Sequence, residues 1–239
     1  MGKKLKIVFV SPCYNAEKNL KNLINSVRSQ NDPRWHHVII DDISSDNTYE
    51  TALELTQDDS RFTVIKNTEK KYALRNIIEA SREFQADDVV IATVDGDDSL
   101  CNENAVNKIL QCYTAGNDIV WTAHRWDLKN LNISKAMPIN VNPYQWPWCS
   151  SHLRTFRSSL LKNISDKNFK DWNGEWFKRG YDQALMLPLL SKTEKRFYLD
   201  EVCYQYNIES VSMTSSERVK ADHSQISTVN FVRARGFVS

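Results

Sequence analysis

The stretch VVIATVDGDDSL, residues 89–100, places a polar cluster directly after an apolar run. The first six residues are apolar apart from one threonine, which is typical of a strand buried on both faces. Three carboxylates then follow within four positions, those of Asp95, Asp97 and Asp98, and like charges this close repel one another. We therefore expect this strand to end at a site that binds a positive charge.

Apolar runs along the first half of the chain alternate with segments of helical periodicity. Besides 89–94, the runs that predict strands lie at 6–11, 36–41, 62–66 and 118–124. The segments that predict helices lie at 17–30, 46–56, 72–84 and 104–113. This alternation predicts an α/β fold with a Rossmann-like, mostly parallel sheet and helices on both faces. Ligands of such sheets bind beyond the carboxyl ends of the strands, where the three carboxylates lie.

The second half of the chain has weaker periodicity and more tryptophan, asparagine and serine. This pattern predicts loops and short strands across 125–180. The further elements predicted are helices at 155–162 and 179–190, a strand pair at 196–208 and an exposed helix or arm at 215–232. We expect one domain with two halves, 1–124 and 125–239, of which the second forms a smaller lobe.

Composition and charge narrow the class of protein. The 239 residues, 41% of them hydrophobic, suffice for one sizeable core. The net charge of +1 hides an asymmetry, because residues 1–120 carry 14 basic and 19 acidic side chains and the remainder carries 17 and 11. An acidic first half and a basic second half of the sequence suggest that the protein binds two different ligands. Five scattered cysteines, no signal-peptide pattern and no apolar run near 20 residues predict a cytoplasmic protein with free thiols and no membrane span.

The carboxylate cluster at 95–98 suits a hard divalent cation. Oxygen ligands favour Mg²⁺, Mn²⁺ or Ca²⁺, and the ligand spacing of an EF-hand loop is missing. A cation held by one or two carboxylates usually finds its other ligands on a phosphate. A metal-bridged diphosphate is therefore the ligand that this cluster predicts, with a solvated acidic turn as the alternative.

Two further polar clusters follow the first and second predicted strands. Pro12, Tyr14 and Asn15 follow the first strand, and Asp42 stands at the end of the second. An aspartate at a strand end can accept a hydrogen bond from a base N–H, so Asp42 is a candidate for reading a uracil-type edge. Asp46 is a routine helix cap.

Four motifs in register resemble the family 2 glycosyltransferases of the GT-A fold. They are V-S-P-C-Y-N-A-E at 10–17, I-I-D-D-I-S-S-D-N-T at 39–48, Y-A-L-R-N at 72–76 and V-D-G-D-D at 94–98. The resemblance covers roughly residues 6–124. It implies an inverting enzyme that uses a nucleotide-diphosphate sugar together with Mn²⁺ or Mg²⁺. We expect the nucleotide of the donor to be UDP.

The resemblance also implies roles for individual residues. Asp42 would bind the base, Arg75 would lie near the base or the diphosphate, and Asp95 would lie by the ribose. Asp97 would bind the metal with Asp98 in support. The donor-binding candidates are Pro12, Tyr14, Asn15, Asp42, Arg75 and Asp95. The first half is thus expected to bind the nucleotide sugar, and the second half to bind the acceptor and carry the catalytic base.

The candidate base lies in the second half. Family members usually carry Glu-Asp where this chain has Tyr181-Asp182, and the aspartate acts as general base. Inversion needs one base on the face opposite the leaving diphosphate, so Asp182 is our candidate. The alternatives are a helix-capping role for Asp182 and a base at Asp171 or Glu175.

The stretch YQYNIESVS, 204–212, resembles the closing stretch of the family but departs from it twice. Gln205 replaces an arginine, and Asn207 replaces a histidine that often contacts the metal or diphosphate. His223 and His152 are the candidate substitutes. The processive-synthase motif Gln-x-x-Arg-Trp is missing, which favours transfer of a single sugar.

The acceptor site is expected among aromatic and basic residues of the second half. The candidates are Trp146, Trp148, His152, Arg154, Arg157, Trp172 and Trp176. Such side chains suit sugar stacking and equally suit stacking on an extruded base. An acceptor glycan, a phosphorylated lipid glycan and a hydroxymethylated base in DNA therefore all stay open; some phage-encoded relatives use the last.

Two other functions compete with glycosyl transfer. A sugar nucleotidyltransferase would need a glycine-rich basic loop after the first strand, and SPCYNAE has neither feature. A non-catalytic nucleotide- or nucleic-acid-binding module would be expected to lack the metal carboxylates or the base, whereas Asp95, Asp97 and Asp182 are all present.

Overall fold

The computed structural model describes residues 4–126, 131–207 and 215–239. The strands are β1 (Lys6–Cys13), β2 (Trp35–Asp41), β3 (Phe62–Lys66), β4 (Val89–Thr93), β5 (Ser99–Leu100), β6 (Ile119–Trp126), β7 (Arg154–Arg157) and β8 (Arg196–Tyr206). The α-helices are α1 (Leu20–Arg28), α2 (Thr48–Thr56), α3 (Tyr72–Glu83), α4 (Ala105–Thr114), α5 (Tyr181–Leu190) and α6 (Ser215–Arg235). Short 3₁₀ turns span Ser158–Asn163 and Asp166–Phe169.

The strands of the described residues form one sheet in the order β3-β2-β1-β4-β7-β6-β8-β5. Strands β3, β2, β1 and β4 pair in parallel, and β6 pairs in parallel with β8. Strand β7 runs antiparallel between β4 and β6, and β5 runs antiparallel to β8. The predicted α/β fold with a mostly parallel sheet is confirmed.

The sheet separates two hydrophobic layers, because successive side chains of a strand point to opposite faces. Val8 and Val10 of β1 join the layer that contains α3 and α5, whereas Ile7 and Phe9 join the layer that contains α1 and α4. All four side chains are fully buried. Burial of an aliphatic or aromatic side chain of this size stabilises the fold by about 1.5–3 kcal/mol. The two layers therefore fix the strand ends that carry the polar clusters.

The helix predicted at 155–162 is wrong. Residues 154–157 form strand β7, and a 3₁₀ turn follows them. Thr155 pairs with Ala92 on one side and with Val120 on the other, and Phe156 is fully buried. A β-branched and an aromatic residue between two strands gain long-range ladder bonds, and these outweigh the local pattern.

The strand pair predicted at 196–208 is also wrong. The described part is one continuous strand, β8, which follows β6 in parallel from Arg196 to Tyr206. The ladder between β6 and β8 has register shifts near Thr122 and Ala123, but the strand does not turn back on itself. Residue 208 lies outside the described residues.

Helix α6 matches the helix predicted at 215–232 and continues three residues further, to Arg235. The segment after it is anchored to the body of the domain, since Asn168 exchanges hydrogen bonds with the backbone of Val238 at 2.7 and 2.9 Å. No helix in the described ranges has the length and apolar character that a membrane span requires.

Candidate active site

The loops after β1 and β2 are joined to one another by Asn15. The side-chain carbonyl of Asn15 accepts a hydrogen bond from the backbone N–H of Ser45 at 2.8 Å. The backbone N–H of Asn15 donates to Ser44 Oγ at 2.9 Å. Asn15 has a φ of 51°, a left-handed conformation that asparagine adopts more readily than most residues. Tyr14 next to it is 56% exposed. Asn15 therefore shapes the loop that presents Tyr14.

The carboxylate of Asp42 is buried and holds the loop before α3. It accepts the backbone N–H groups of Lys71 at 2.8 Å and Tyr72 at 2.9 Å, and the Asn67 amide at 2.7 Å. Burial alone would raise the pKa of Asp42, but these hydrogen bonds lower it. Lys70 donates to the Asp42 carbonyl at 2.9 Å. Asp42 thus orders one end of the site, and its predicted contact with a base stays a prediction.

The turn at 95–98 is pressed against the end of β1. A Cβ built on Gly96 would lie 2.8 Å from Cys13 Sγ and 3.0 Å from Cys13 Cα. Asp98 is buried, and its carboxylate accepts the Tyr204 hydroxyl at 2.6 Å and the Asn207 N–H at 2.8 Å. Burial raises the pKa of Asp98 well above the ordinary value, and the charges of Asp95 and Asp97 add to the shift.

We expect Gly96→Ala to lower the free energy of unfolding by about 2 kcal/mol, because the added methyl group meets backbone atoms of Cys13 that cannot move aside. Urea unfolding followed by circular dichroism measures this change. Glu103→Ala, at an exposed position, is the control and should change stability by less than about 0.5 kcal/mol. Equal stability of the two variants would contradict the close approach.

A buried guanidinium links the carboxylate turn to helix α5. Arg154, 1% exposed on β7, lies 3.7 Å from a carboxylate oxygen of Asp95 and donates to the Tyr181 hydroxyl at 2.8 Å. The Tyr181 hydroxyl in turn donates to Asp95. Burial acts to lower the pKa of Arg154, but the groups of Tyr181, Asp95 and Asp182 raise it, so the guanidinium stays charged. Arg154 therefore offsets part of the negative charge of the carboxylates at 95–98.

Asp182 lies in the first turn of α5, beside this network. Gly180, the residue that caps the helix, is in the left-handed region at φ 63°, and a Cβ there would lie 3.1 Å from the Gln225 carbonyl of α6. Burial raises the pKa of Asp182, and the Arg154 charge opposes the shift. A carboxylate with a raised pKa is a stronger base than an ordinary aspartate, as a general base requires.

His152 closes the site on the β8 side. Its ring stacks on Tyr204, with centroids 4.5 Å apart, and one ligand atom each from Asp95, Asp98 and His152 lie within 4.8 Å of one another. Nδ1 of His152 is buried with no hydrogen-bond partner among the described residues. Burial lowers the pKa of His152 well below the ordinary value, so the ring is neutral near pH 7 and can bind a metal.

Most of these groups line one pocket of about 420 Å³, a size typical of small-ligand sites, whereas Asn15, Asp97 and Asp98 are not among its lining residues. Seven of the side chains singled out in the sequence line it: Pro12, Tyr14, Asp42, Asp95, His152, Arg154 and Asp182. The sequence did not single out the remaining lining residues as site candidates: Cys13, Lys70, Tyr72, Ala73, Lys178, Arg179, Gly180, Tyr181, Tyr206 and Gln225. Several of them lie within the quoted motifs or form the basic pair just before Gly180, whereas Lys70 and Gln225 carry no such signal.

The structure places other candidates away from this pocket. Arg75 pairs with Glu69 at 2.9 Å and with Glu79 at 2.7 Å. Arg157 lies at the opposite edge of the sheet, where it binds Asp118 at 3.2 Å and the Asp87 carbonyl at 3.1 Å. Both guanidiniums therefore have structural partners.

The four tryptophans and His223 also do not line the pocket among the described residues. Trp146, Trp148 and Trp176 pack against the core layer of α3 and α5. Trp172 is 73% exposed and meets Phe231 edge to face. His223 is exposed on α6.

A pocket at the carboxyl ends of a mostly parallel sheet is where open α/β proteins bind their ligands. A model of glycosyl transferase family 2 matches residues 8–169, and the chain belongs to this family. None of the curated proteins compared with the chain matches it.

Solved structures of glycosyltransferases share the fold. S. aureus TarS is 15% identical, with a TM-score of 0.66 over 93% of this chain and 43% of TarS. TarS 1–349 in complex with UDP is 15% identical, with a TM-score of 0.65 over 95% of this chain and 71% of that one. The mannosyltransferase PcManGT of Pyrobaculum calidifontis, in complex with GDP-Man and Mn²⁺, is 12% identical, with a TM-score of 0.62 over 95% and 65%. The fold is thus of the GT-A type, and the chain spans less than half the length of full TarS.

Proposed function

We propose that the chain transfers one sugar from a nucleotide-diphosphate sugar, most simply a UDP-sugar, to a hydroxyl group of an acceptor with inversion at the anomeric carbon. The observation that carries the proposal is that Asp95, the candidate for the donor side, and Asp182, at the start of α5, line the same pocket. Membership of glycosyl transferase family 2 and the likeness to a UDP-bound fold support it.

In this proposal Asp182 is the general base. It removes the proton of the acceptor hydroxyl while the oxygen attacks the anomeric carbon and the bond to the diphosphate breaks. Arg154 and Tyr181 fix Asp95 on one side and the start of α5 on the other, so they position donor and base relative to each other. Tyr181 fills with a neutral hydroxyl the place where the resemblance led us to expect a glutamate.

The residues of the carboxylate turn fit a divalent metal. Two observations support this fit. Ligand atoms of Asp95, Asp98 and His152 lie close together, and the buried Nδ1 of His152 has no hydrogen-bond partner among the described residues. We propose that Asp97, the ligand implied by the family resemblance, completes this set and that His152 replaces the missing histidine at Asn207. A mixed carboxylate and imidazole set favours Mn²⁺ over Mg²⁺. When bound, the metal would supply positive charge for the leaving diphosphate.

We propose an anionic acceptor for the second half of the chain. This half carries 17 basic and 11 acidic residues, and cationic side chains also line the pocket itself. Both observations support an anionic acceptor. A glycan, a phosphorylated lipid glycan and a hydroxymethylated DNA base all meet this description. The free state of all five cysteines supports a reducing, cytoplasmic setting.

Release of UDP from a panel of UDP-sugars tests the proposed function. We expect turnover with Mn²⁺ that rises in the presence of the correct acceptor, offered in separate reactions as oligosaccharides, phosphorylated lipid glycans and hydroxymethylcytosine-containing DNA. Asp182→Asn serves as the matched inactive protein. Equal UDP release by both proteins, or none with any donor, would contradict glycosyl transfer by this pocket.

A further inference from the structure

One wall of the pocket is cationic and is not used by the mechanism above. Lys70 lies in the loop before α3, and Lys178 and Arg179 lie just before Gly180. Lys178 and Arg179 are exposed, and neither makes a salt bridge with a carboxylate in the described part of the chain. The ammonium of Lys70 lies 3.5 Å from a carboxylate oxygen of Asp42, but pairing within the described part of the fold does not explain the charges of Lys178 and Arg179.

Lys70 and Lys178 meet at Tyr72 although they come from distant parts of the sequence, and Arg179 directly follows Lys178 in the chain. The ammonium of Lys178 lies 5.5 Å from the centroid of the Tyr72 ring, and that of Lys70 lies 5.8 Å from the same centroid. Burial lowers the pKa of Lys70, Asp42 opposes that shift, and the charge of Arg179 adds to the lowering. The cations are thus close enough to repel one another, and an anion between them would relieve the repulsion.

The position of this wall defines what it can bind. Arg179 is three residues before Asp182, and the intervening Gly180 is held against the Gln225 carbonyl. When no metal is bound, the carboxylate of Asp95 repels an anion, whereas Lys178 and Arg179 attract one, and all three residues line the same pocket. An anionic group that enters the metal-free pocket is therefore favoured beside Lys178 and Arg179.

We propose that Lys70, Lys178 and Arg179 form a phosphate-binding subsite at the entrance to Asp182. The inference rests on the proposed function for its place in the reaction, but phosphate binding itself does not depend on turnover. Two sources share this chemistry: the diphosphate of the donor and a phosphate carried by the acceptor. Arginine and lysine side chains bind phosphate through charge-assisted hydrogen bonds. Removing two of these side chains is therefore expected to weaken phosphate binding strongly.

The test compares Lys178→Ala/Arg179→Ala with Lys162→Ala/Lys195→Ala. The control removes two exposed charges near the opposite edge of the sheet, since Lys162 follows β7 and Lys195 precedes β8. Calorimetry in EDTA, which removes any metal, uses inorganic pyrophosphate, UDP, uridine and glycerol 3-phosphate as probes. We expect the first variant alone to bind at least one phosphate probe about 10- to 100-fold more weakly, while uridine binding is unchanged.

The pattern of losses identifies the source. Weaker UDP and pyrophosphate binding assigns the subsite to the donor, and weaker glycerol 3-phosphate binding with unchanged UDP assigns it to the acceptor. Equal affinities for all probes in both variants, or no phosphate binding by the unmodified protein, would overturn the proposal. Loss of phosphate binding in a chain that proves inactive in sugar transfer would leave the subsite standing and reject the proposed function alone.

Discussion

Asp182→Asn is expected to slow sugar transfer by about 10²- to 10⁴-fold while UDP binds with unchanged affinity, because a general base acts on the acceptor and not on the nucleotide. Single-turnover transfer and calorimetric UDP binding separate the two quantities. The folded protein should not suffer, since burial raises the pKa of Asp182 and its ionised form therefore costs stability near pH 7. The variant should unfold at the same temperature as the unmodified protein or at a higher one.

The pH dependence of the transfer rate should also identify Asp182 as the base. The base must be ionised, so the rate falls as pH drops through its pKa. Because that pKa is raised, the fall should begin above the range of an ordinary aspartate, whose pKa is about 3.9. A kcat/KM profile measured from acid to neutral pH shows where the fall begins.

The other carboxylates considered as bases provide the controls. Asp171 binds the backbone N–H groups of Asn173 at 2.8 Å and Glu175 at 3.0 Å, and Glu175 is exposed. Neither lines the pocket among the described residues. Glu175→Gln and Asp171→Asn should transfer at nearly the unmodified rate. A wild-type rate in Asp182→Asn, or a collapse in either control, would move the base elsewhere.

Asp97→Ala is expected to abolish the part of UDP binding that depends on Mn²⁺, and His152→Ala to weaken Mn²⁺ binding at least about tenfold. Manganese affinity measured by electron paramagnetic resonance, without any donor, reads the metal site directly. His223→Ala is the matched control, because this histidine is exposed on α6 and should not change the affinity.

The buried ring of His152 requires a second variant. His152→Gln keeps a polar side chain of similar reach against Tyr204 and should fold while binding Mn²⁺ more weakly. Unfolding temperatures of both His152 variants show whether the domain is intact. Full manganese affinity in a folded His152 variant would remove this residue from the metal site, and full Mn²⁺-dependent UDP binding in Asp97→Ala would remove Asp97.

The parallel strands at the front of the sheet could be predicted because their signal is local. The apolar run 7–10 predicts a strand buried on both faces without any information from distant residues, and β1 is buried there. Strand β7 could not be predicted in this way. Four residues gain strand geometry there from pairing with β4 and β6, which lie more than 25 residues away in the sequence.

The same reason limits what could be predicted about the site. Arg154 and Arg157 are equivalent as sequence letters, but three residues along an antiparallel strand separate them by about 10 Å. One therefore meets Asp95 at the carboxyl edge and the other meets Asp118 at the amino edge. Lys70 has no sequence signal that brings it to Lys178, because two loops with no shared periodicity form that wall.

The contact of α6 with Gly180 links the start of α5 to a distant part of the sequence. A Cβ at Gly180 would lie 3.1 Å from the Gln225 carbonyl and 3.3 Å from Val229 Cγ2, and the φ of 63° disfavours any side chain there. Because Gln225 also lines the pocket, the position of Asp182 depends on how α6 packs against residue 180. A substitution on the facing side of α6 would therefore alter the pocket although it lies more than 40 residues from Asp182 in the sequence.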